Sequence, residues 1–351
     1  MKADGTNASS GSFSVNVGSL EAGKTYYYKA YIREWNTQTQ EWEYRYATNV
    51  ESFTTSAEAG DSPSGWLELP AYTKAGMANT TTSSLNDLYK ITHTVQMGGK
   101  TQRNYTCLYD PAMYASYWVA YPLCYDHING SGRSEQWAYD PDVPSSKQTN
   151  VIDGAYGVSI STPNYSSNLY SRGHQIASAD RNGVDDMCDQ TFYMTNLTPQ
   201  IQNGFNGGVW KNLEEAVRAL VSSNSSSTDT VYVVSGAAFR KKTDGTESIT
   251  TIKNTRDSKT LPVPNYYWKA LLKVTWSGSG NNKTVTGASA IGFWLPHQDL
   301  KGASYTSYTT SIDQIEEWTG FDLFTNLPGD NSSGIEKAAE SNTNWTTFQN
   351  F

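Results

Sequence analysis

The 351 residues are enough for about two domains with a sizeable core. Charged residues make up only 17%, beside 24 Tyr and 11 Trp, and the formal net charge is −8. This excludes collagen, coiled coil and disordered chain, points to an ordered, β-rich, exported protein, and argues against one that coats itself in nucleic acid.

The start, Met1–Gly5, has no apolar stretch, so a signal peptide is expected to be absent from this sequence. Residues 1–57 read as a small N-terminal β segment. Phe13–Val17 alternates as a half-buried strand, Leu20–Thr25 turns into the aromatic run Tyr26–Ile32, and a last run covers 50–55. The leucine, the glycine-containing corner and the tyrosine opening the next strand resemble the tyrosine corner of a fibronectin type III sandwich. With about three strands, the segment is expected to be the C-terminal half of such a domain. A β-meander packed on the main domain is the other reading. Residues 58–84 contain a Ser/Ala/Glu/Gly/Asp/Pro stretch and read as a linker.

From residue 85 strand and turn signals alternate. Tyr89–Val95 and Arg103–Tyr109 flank a Gly98-Gly99 turn, and Tyr117–Tyr121 follows. A polar passage, Tyr125–Asn168, reads as loop. Asn206–Ser222 is the clearest helix, because Trp210, Leu213, Val217 and Leu220 recur at helical spacing. Val231–Val234, Tyr266–Trp276 and Ala288–Leu295 read as buried strands. Ser311 caps a second helix that ends at Gly320. Residues 331–351 read as a polar tail. The mixture predicts an α+β domain over 85–330, with a mixed or antiparallel sheet flanked by helices. No run approaches the roughly 18 apolar residues of a membrane span. Cys107 and Cys124 lie in neighbouring strand-like runs and could pair; three small buried side chains is the equal alternative.

Each of the four histidines can be weighed in turn. His174 stands out, in Tyr170-Ser171-Arg172-Gly173-His174. A neighbouring arginine disfavours a second positive charge and keeps the imidazole neutral, as a general base requires. Downstream, Asn196-Leu197-Thr198-Pro199-Gln200 leads to Asn206 and, eight residues on, Glu214. On one continuous helix these two would project to one side, about 12 Å apart along the axis. An amide oxygen and a carboxylate so placed suit Mg²⁺ held largely through waters. Taken singly, Asn206 reads as an N-cap and Glu214 as a solvated carboxylate.

Together, Arg-Gly-His, Asn-Leu-Thr-Pro-Gln and Asn-x-x-x-Trp-x-x-x-Glu resemble the ββα-metal (His-Me finger) site of the DNA/RNA non-specific endonuclease family. Trp118–Tyr121, Trp137–Pro141, Val231–Gly236, Val263–Lys269 and Ser311–Glu316 extend the resemblance, in order, over roughly residues 105–328. It implies hydrolysis of DNA and RNA phosphodiesters without sequence preference, leaving a 5′-phosphate. It also implies Mg²⁺, with Mn²⁺ as a substitute. His174 would be the general base, Asn206 the metal ligand, and Glu214 the holder of metal-bound waters. Asn196 would orient that cluster or His174. Arg172 and an upstream arginine, best matched by Arg133, would neutralise the phosphate. Ser171 departs from the family's usual Asp and leaves open how the Arg172–His174 turn is pinned.

A non-catalytic glycan-binding or adhesive surface protein is the alternative, resting on the aromatic abundance, the fibronectin-like segment and the negative charge. A glycosidase built on Asp185, Asp186, Glu214 or Glu215 fits poorly, because adjacent acids do not straddle a sugar. Residues 240–283 carry net +6 and the rest −14, so that stretch is the expected duplex-contacting surface. A secreted, periplasmic or cell-surface location is expected, and a protein inhibitor leaves no readable signature.

Overall fold

The computed structural model describes residues 25–54, 66–73, 87–97, 99–130, 132–154, 156, 170–222, 230–278, 283–328 and 334–351. The chain forms two units, Met1–Trp66 and Leu67–Phe351.

In the first unit, β1 (Thr25–Tyr28) pairs antiparallel with β4 (Glu51–Thr54), and β2 (Tyr31–Asn36) with β3 (Glu41–Tyr46). The aromatic run expected as one strand is thus divided at Lys29-Ala30. The β2–β3 turn is fixed by the Asn36 carboxamide, which accepts from the Gln38 and Thr39 amides. Trp35 and Trp42 face each other across the pair, with ring centroids 5.3 Å apart. The described strands form two separate pairs, and a fibronectin type III sandwich is not confirmed. Phe13–Val17 and most of the tyrosine-corner segment lie outside the described residues.

The second unit is built on a seven-stranded sheet whose neighbours all run antiparallel. Its strands are β6 (Tyr89–Met97), β7 (Lys100–Asp110), β8 (Ala115–Leu123), β11 (Val231–Ala238), β14 (Tyr266–Ser277), β15 (Thr284–Pro296) and β16 (Thr309–Thr310). The order is β16-β15-β14-β11-β8-β7-β6. Strand periodicity sorts the core: Tyr105, Cys107, Tyr109, Val119, Tyr121, Leu123, Val231, Val233, Tyr267, Leu271, Ile291, Phe293 and Leu295 share one buried face. Against that face lies α3 (Lys211–Ser222), through Leu213, Val217 and Val221, with Trp210 just before it. On the opposite face Trp118 meets Tyr72 of β5 (Ala71–Tyr72). There too Trp294 meets Trp318 of α4 (Ile312–Thr319). The expected α+β class, a sheet flanked by helices, is the observed one.

Ser311 caps α4, its Oγ accepting from the Gln314 amide, and Gly320 ends it in the left-handed region at φ 76°. Other boundaries differ from the expectation. Within 58–84, Leu67 and Leu69 are buried and β5 pairs with β17 (Phe321–Asp322), so part of the expected linker belongs to the core. The polar tail forms α5 (Gly334–Glu340) and α6 (Trp345–Gln349). Trp345 and Phe348, one turn apart, bury against the sheet, Trp345 on Phe293. All three cysteines are free thiols: Cys107 points into the core and Cys124 precedes α1 (Tyr125–Ile128), so the pairing is not formed.

Candidate active site

The site begins with a hairpin and a helix on one face of the sheet. β9 (Tyr170–His174) runs antiparallel to β10 (Leu197–Ile201), with His174 opposite Leu197 and Ser171 opposite Gln200. Tyr267 ties β10 to the sheet, its Oη 2.9 Å from both Thr198 Oγ1 and the Pro199 carbonyl. Gly173 must lack a side chain, because a Cβ there would sit 2.4–2.5 Å from the Gln200 side chain. The glycine therefore lets the two strands close up beneath His174.

The His174 ring packs edge-on to Trp137, 5.5 Å away, and Phe192, 5.2 Å away. Its Nε2 is buried without a hydrogen-bond partner. The bond to the Arg172 backbone therefore belongs to Nδ1, which fixes the tautomer and leaves Nε2 as the proton acceptor. Burial, then the charges of Arg133 and Arg172, push the pKa from 6.5 down to about 3. His174 is neutral at pH 7, as expected, but burial is the main cause rather than the adjacent arginine.

Asn206 lies beside the hairpin in an irregular turn. The segment Gln202–Trp210 departs from helical geometry at Asn203, Gly204 and Gly208, and α3 proper starts at Lys211. Asn206 and Glu214 thus do not share one regular helix, and the expected rotation between them does not hold. What orients Asn206 is Ser171. The Ser171 hydroxyl gives its hydrogen to the Gln200 carbonyl, 3.0 Å away, so toward Asn206 it can only accept. Asn206 Nδ2 donates to it at 2.8 Å and to Gln202 Oε1 at 3.0 Å. With both amide hydrogens committed, Oδ1 is the open end of the side chain. A neutral, hard oxygen on a fixed amide fits a divalent cation that keeps most of its waters.

The remaining expected residues divide. Asn196 is fully buried; Nδ2 donates to the Ile176 and Thr191 carbonyls, and Oδ1 accepts from the Ile176 amide. It clamps the chain just past His174, which is the second of the two expected roles, orienting the histidine rather than the metal–water cluster. Arg172 stacks 3.5 Å over Trp137 and donates to the Val151 and Ile152 carbonyls. Its guanidinium buttresses the ring that packs on His174, which gives it a positioning role. Arg133 is exposed, ion-paired with Glu135 at 3.0 Å, and 5.1 Å from the Phe192 ring. The structure places it beside the histidine. Glu214, in the first turn of α3, feels the charges of Lys269, Asp180 and Arg218. Burial pushes its carboxyl up and Asp180 adds to this, while Lys269 and Arg218 oppose it. Lys269 itself is buried and donates to Ser235 Oγ at 3.1 Å.

Trp137, Phe192 and Gln202 were not singled out as site residues from the sequence. Trp137 lies 37 positions before His174, and only the fold brings the two together. A second group was also missed. His93 Nε2 lies 3.0 Å from Asp140 Oδ2, which also accepts from Thr195 Oγ1 at 2.5 Å. Burial would raise the Asp140 pKa, yet these hydrogen bonds hold it below its ordinary value. His93, Asp140 and Asp142 could share a cation by spacing, but the first two already satisfy each other as a clasp beneath the Thr195–Asn196 turn.

The basic stretch is not one open surface. Lys269 is buried, Lys241 lies 4.3 Å over Trp318, and Lys259 donates to the Gln148 carbonyl. Arg256 donates to the Asp153 carbonyl beside the Val151–Ile152 pair that holds Arg172.

Comparison with known proteins agrees with this geometry. A nuclease of Nostoc sp. is 25% identical over 242 residues, covering 68% of this chain and 78% of that protein. A Serratia marcescens nuclease is 28% identical over 222 residues, covering 62% and 72%. Human mitochondrial endonuclease G is 25% identical over 174 residues, covering 49% and 54%. A chain in the crystal structure of the EndoG/EndoGI complex superimposes with TM-score 0.50 at 19% identity, over 72% of this chain and 91% of that one, and so shares the fold. The profile of one family spans residues 85–330, the stretch that carries the hairpin, Asn206 and α3. The chain belongs to the DNA/RNA non-specific endonuclease family.

Proposed function

We propose that the protein is a metal-dependent endonuclease that hydrolyses phosphodiester bonds of DNA and RNA without sequence preference. The observation that carries this reading is a neutral His174 with an unpartnered Nε2, in the same hairpin whose Ser171 fixes Asn206 with its Oδ1 open. His174 Nε2 takes the proton of the attacking water. As the new bond to phosphorus forms, the bond to the 3′ oxygen breaks, and the product keeps a 5′-phosphate. Asn206 Oδ1 would hold Mg²⁺, or Mn²⁺ in its place, and Glu214 would accept hydrogen bonds from waters around it. A divalent cation bound there stabilises the charge that develops on the phosphate and the leaving oxygen. Arg133 is the side chain assigned to the phosphate, and Arg172 holds Trp137 against the base. An exported location belongs with this reading, and among the described residues no helix is long and apolar enough to cross a membrane.

The test is a nicking assay on plasmid, single-stranded DNA and RNA, in Mg²⁺ or Mn²⁺ and then in EDTA. All three substrates should be degraded with metal and survive in the chelator. If metal-loaded protein leaves all three whole, the proposal fails.

The base also predicts a pH profile. His174 accepts a proton only while neutral, so acid removes activity and alkali leaves this group unchanged. The acid limb of kcat/KM due to the base should fall well below 6.5, toward the His174 value of about 3, while Glu214, pushed up to about 7, contributes its own limb near neutrality. A limb centred on the ordinary imidazole value of 6.5 that survives in Glu214→Gln would show that the ring is not desolvated in the working enzyme.

A further inference from the structure

A second set of oxygen donors lies away from the hairpin, where α4 meets α5. Asp313 and Glu316 stand one helical turn apart on α4, and Glu340 ends α5. One carboxylate oxygen from each comes within 4.8 Å of the others. Glu340 is fully buried, and neither of its oxygens has a hydrogen-bond partner among the described residues. A buried carboxylate with both oxygens unmatched is among the costliest arrangements a protein can hold. Its surroundings make this worse, because Glu316, Glu336, Asp313 and Asp322 all act on it with the same sign. Glu316 uses one oxygen to accept from the Leu323 amide, and Lys337 lies 3.8 Å from Asp313, leaving the buried side of the cluster to Glu340.

The donor set suits a particular occupant. Three carboxylates whose oxygens all lie within 4.8 Å of one another can ligate one cation together, and Ca²⁺ takes several protein oxygens directly in a flexible geometry. Mg²⁺ demands octahedral order and gives up its waters reluctantly. We propose that Asp313, Glu316 and Glu340 form a structural Ca²⁺ site that fastens α5 to α4. The ion supplies the charge that Glu340 lacks and accepts its lone pairs. It also holds down the end of the chain, because α6 follows α5 and buries Trp345 and Phe348 in the core. The site lies outside the catalytic hairpin and stands whether or not the enzyme reading does.

Thermal melts of the full chain, with EDTA as reference, test it. Ca²⁺ at about a hundredfold over its dissociation constant should raise the Tm by roughly 5 °C, and Mg²⁺ by less. The rise should persist in Asn206→Ala, which removes the other candidate ligand, and vanish in Glu340→Gln. Asp313 is half-exposed, so Asp313→Asn can be made without disturbing the core, and it should weaken the response. Equilibrium dialysis should then find one Ca²⁺ fewer per chain in Glu340→Gln than in wild type. Protons are the rival occupant, since burial and the neighbouring carboxylates push Glu316 up to about 8 and Glu340 up to about 9. A wild-type Tm that does not move in about 10 mM Ca²⁺ would assign the cluster to protons and overturn the proposal. A rise that survives Glu340→Gln and disappears in Asn206→Ala would overturn it equally.

Discussion

Replacing His174 by alanine is expected to slow cleavage by roughly 10²–10⁴-fold while the protein stays folded. The size follows from what is removed: a proton acceptor held neutral at working pH, whose Nε2 has no partner among the described residues. The nearest charged groups, Arg133 and Arg172, cannot accept a proton. Folding should tolerate the change, because truncation also removes a buried nitrogen that has no partner. What is lost is ring packing on Trp137 and Phe192. That costs about 1–3 kcal/mol, within the range of an ordinary substitution. Circular dichroism and a melt should therefore look nearly native while plasmid survives. Imidazole added to the variant should restore part of the rate, which a purely structural role would not allow. If His174→Ala cuts at the wild-type rate, the base is elsewhere.

Sequence periodicity and motif point to residues that the structure gathers at one hairpin, because β-strand alternation and the Arg-Gly-His, Asn-x-x-x-Trp-x-x-x-Glu spacings are local properties. The other differences have separate origins. Asn206 was given to a helix because Trp210 and Leu213 continue the 3.6-residue stripe; yet Gly207-Gly208 precede them, and Gly208 leaves helical geometry. Arg172 looked like a phosphate ligand because charge is visible in sequence and its partners are not. Trp137 and the Val151–Ile152 carbonyls arrive from distant loops and occupy the guanidinium. Of the two roles that the motif offers Asn196, the contacts favour the one beside His174, because its amide matches the donor and acceptor of Ile176. The tail was misread through composition: one apolar pair, Trp345 and Phe348, is enough to dock a short helix in an otherwise polar stretch. For Arg172 and the tail a contact between residues far apart in the chain decides the outcome, and for Asn206 the adjacent glycines do.

The departure at Ser171 leads to the second large effect, which falls on the metal. Asn206→Ala removes the one amide oxygen that the turn leaves open. Losing a direct ligand forfeits several kcal/mol of charge stabilisation, a rate loss of roughly 10²–10³-fold at fixed Mg²⁺. Ser171→Ala should act on the same quantity more gently. Without the hydroxyl, Asn206 Nδ2 keeps only Gln202, and the amide can rotate to present nitrogen where oxygen is needed. One hydrogen bond to a ligand is worth roughly tenfold in metal affinity, so half-maximal activity should need about ten times more Mg²⁺. The rate at saturating metal should then approach wild type, which separates Ser171→Ala from Asn206→Ala. Ser171→Asp supplies the decisive contrast. A carboxylate there still accepts from Nδ2 and restores the residue the family commonly carries, so the Mg²⁺ requirement should return to the wild-type range or below. Should Ser171→Ala titrate with Mg²⁺ like wild type, the hydroxyl does not orient Asn206, and the amide must be held by Gln202 alone.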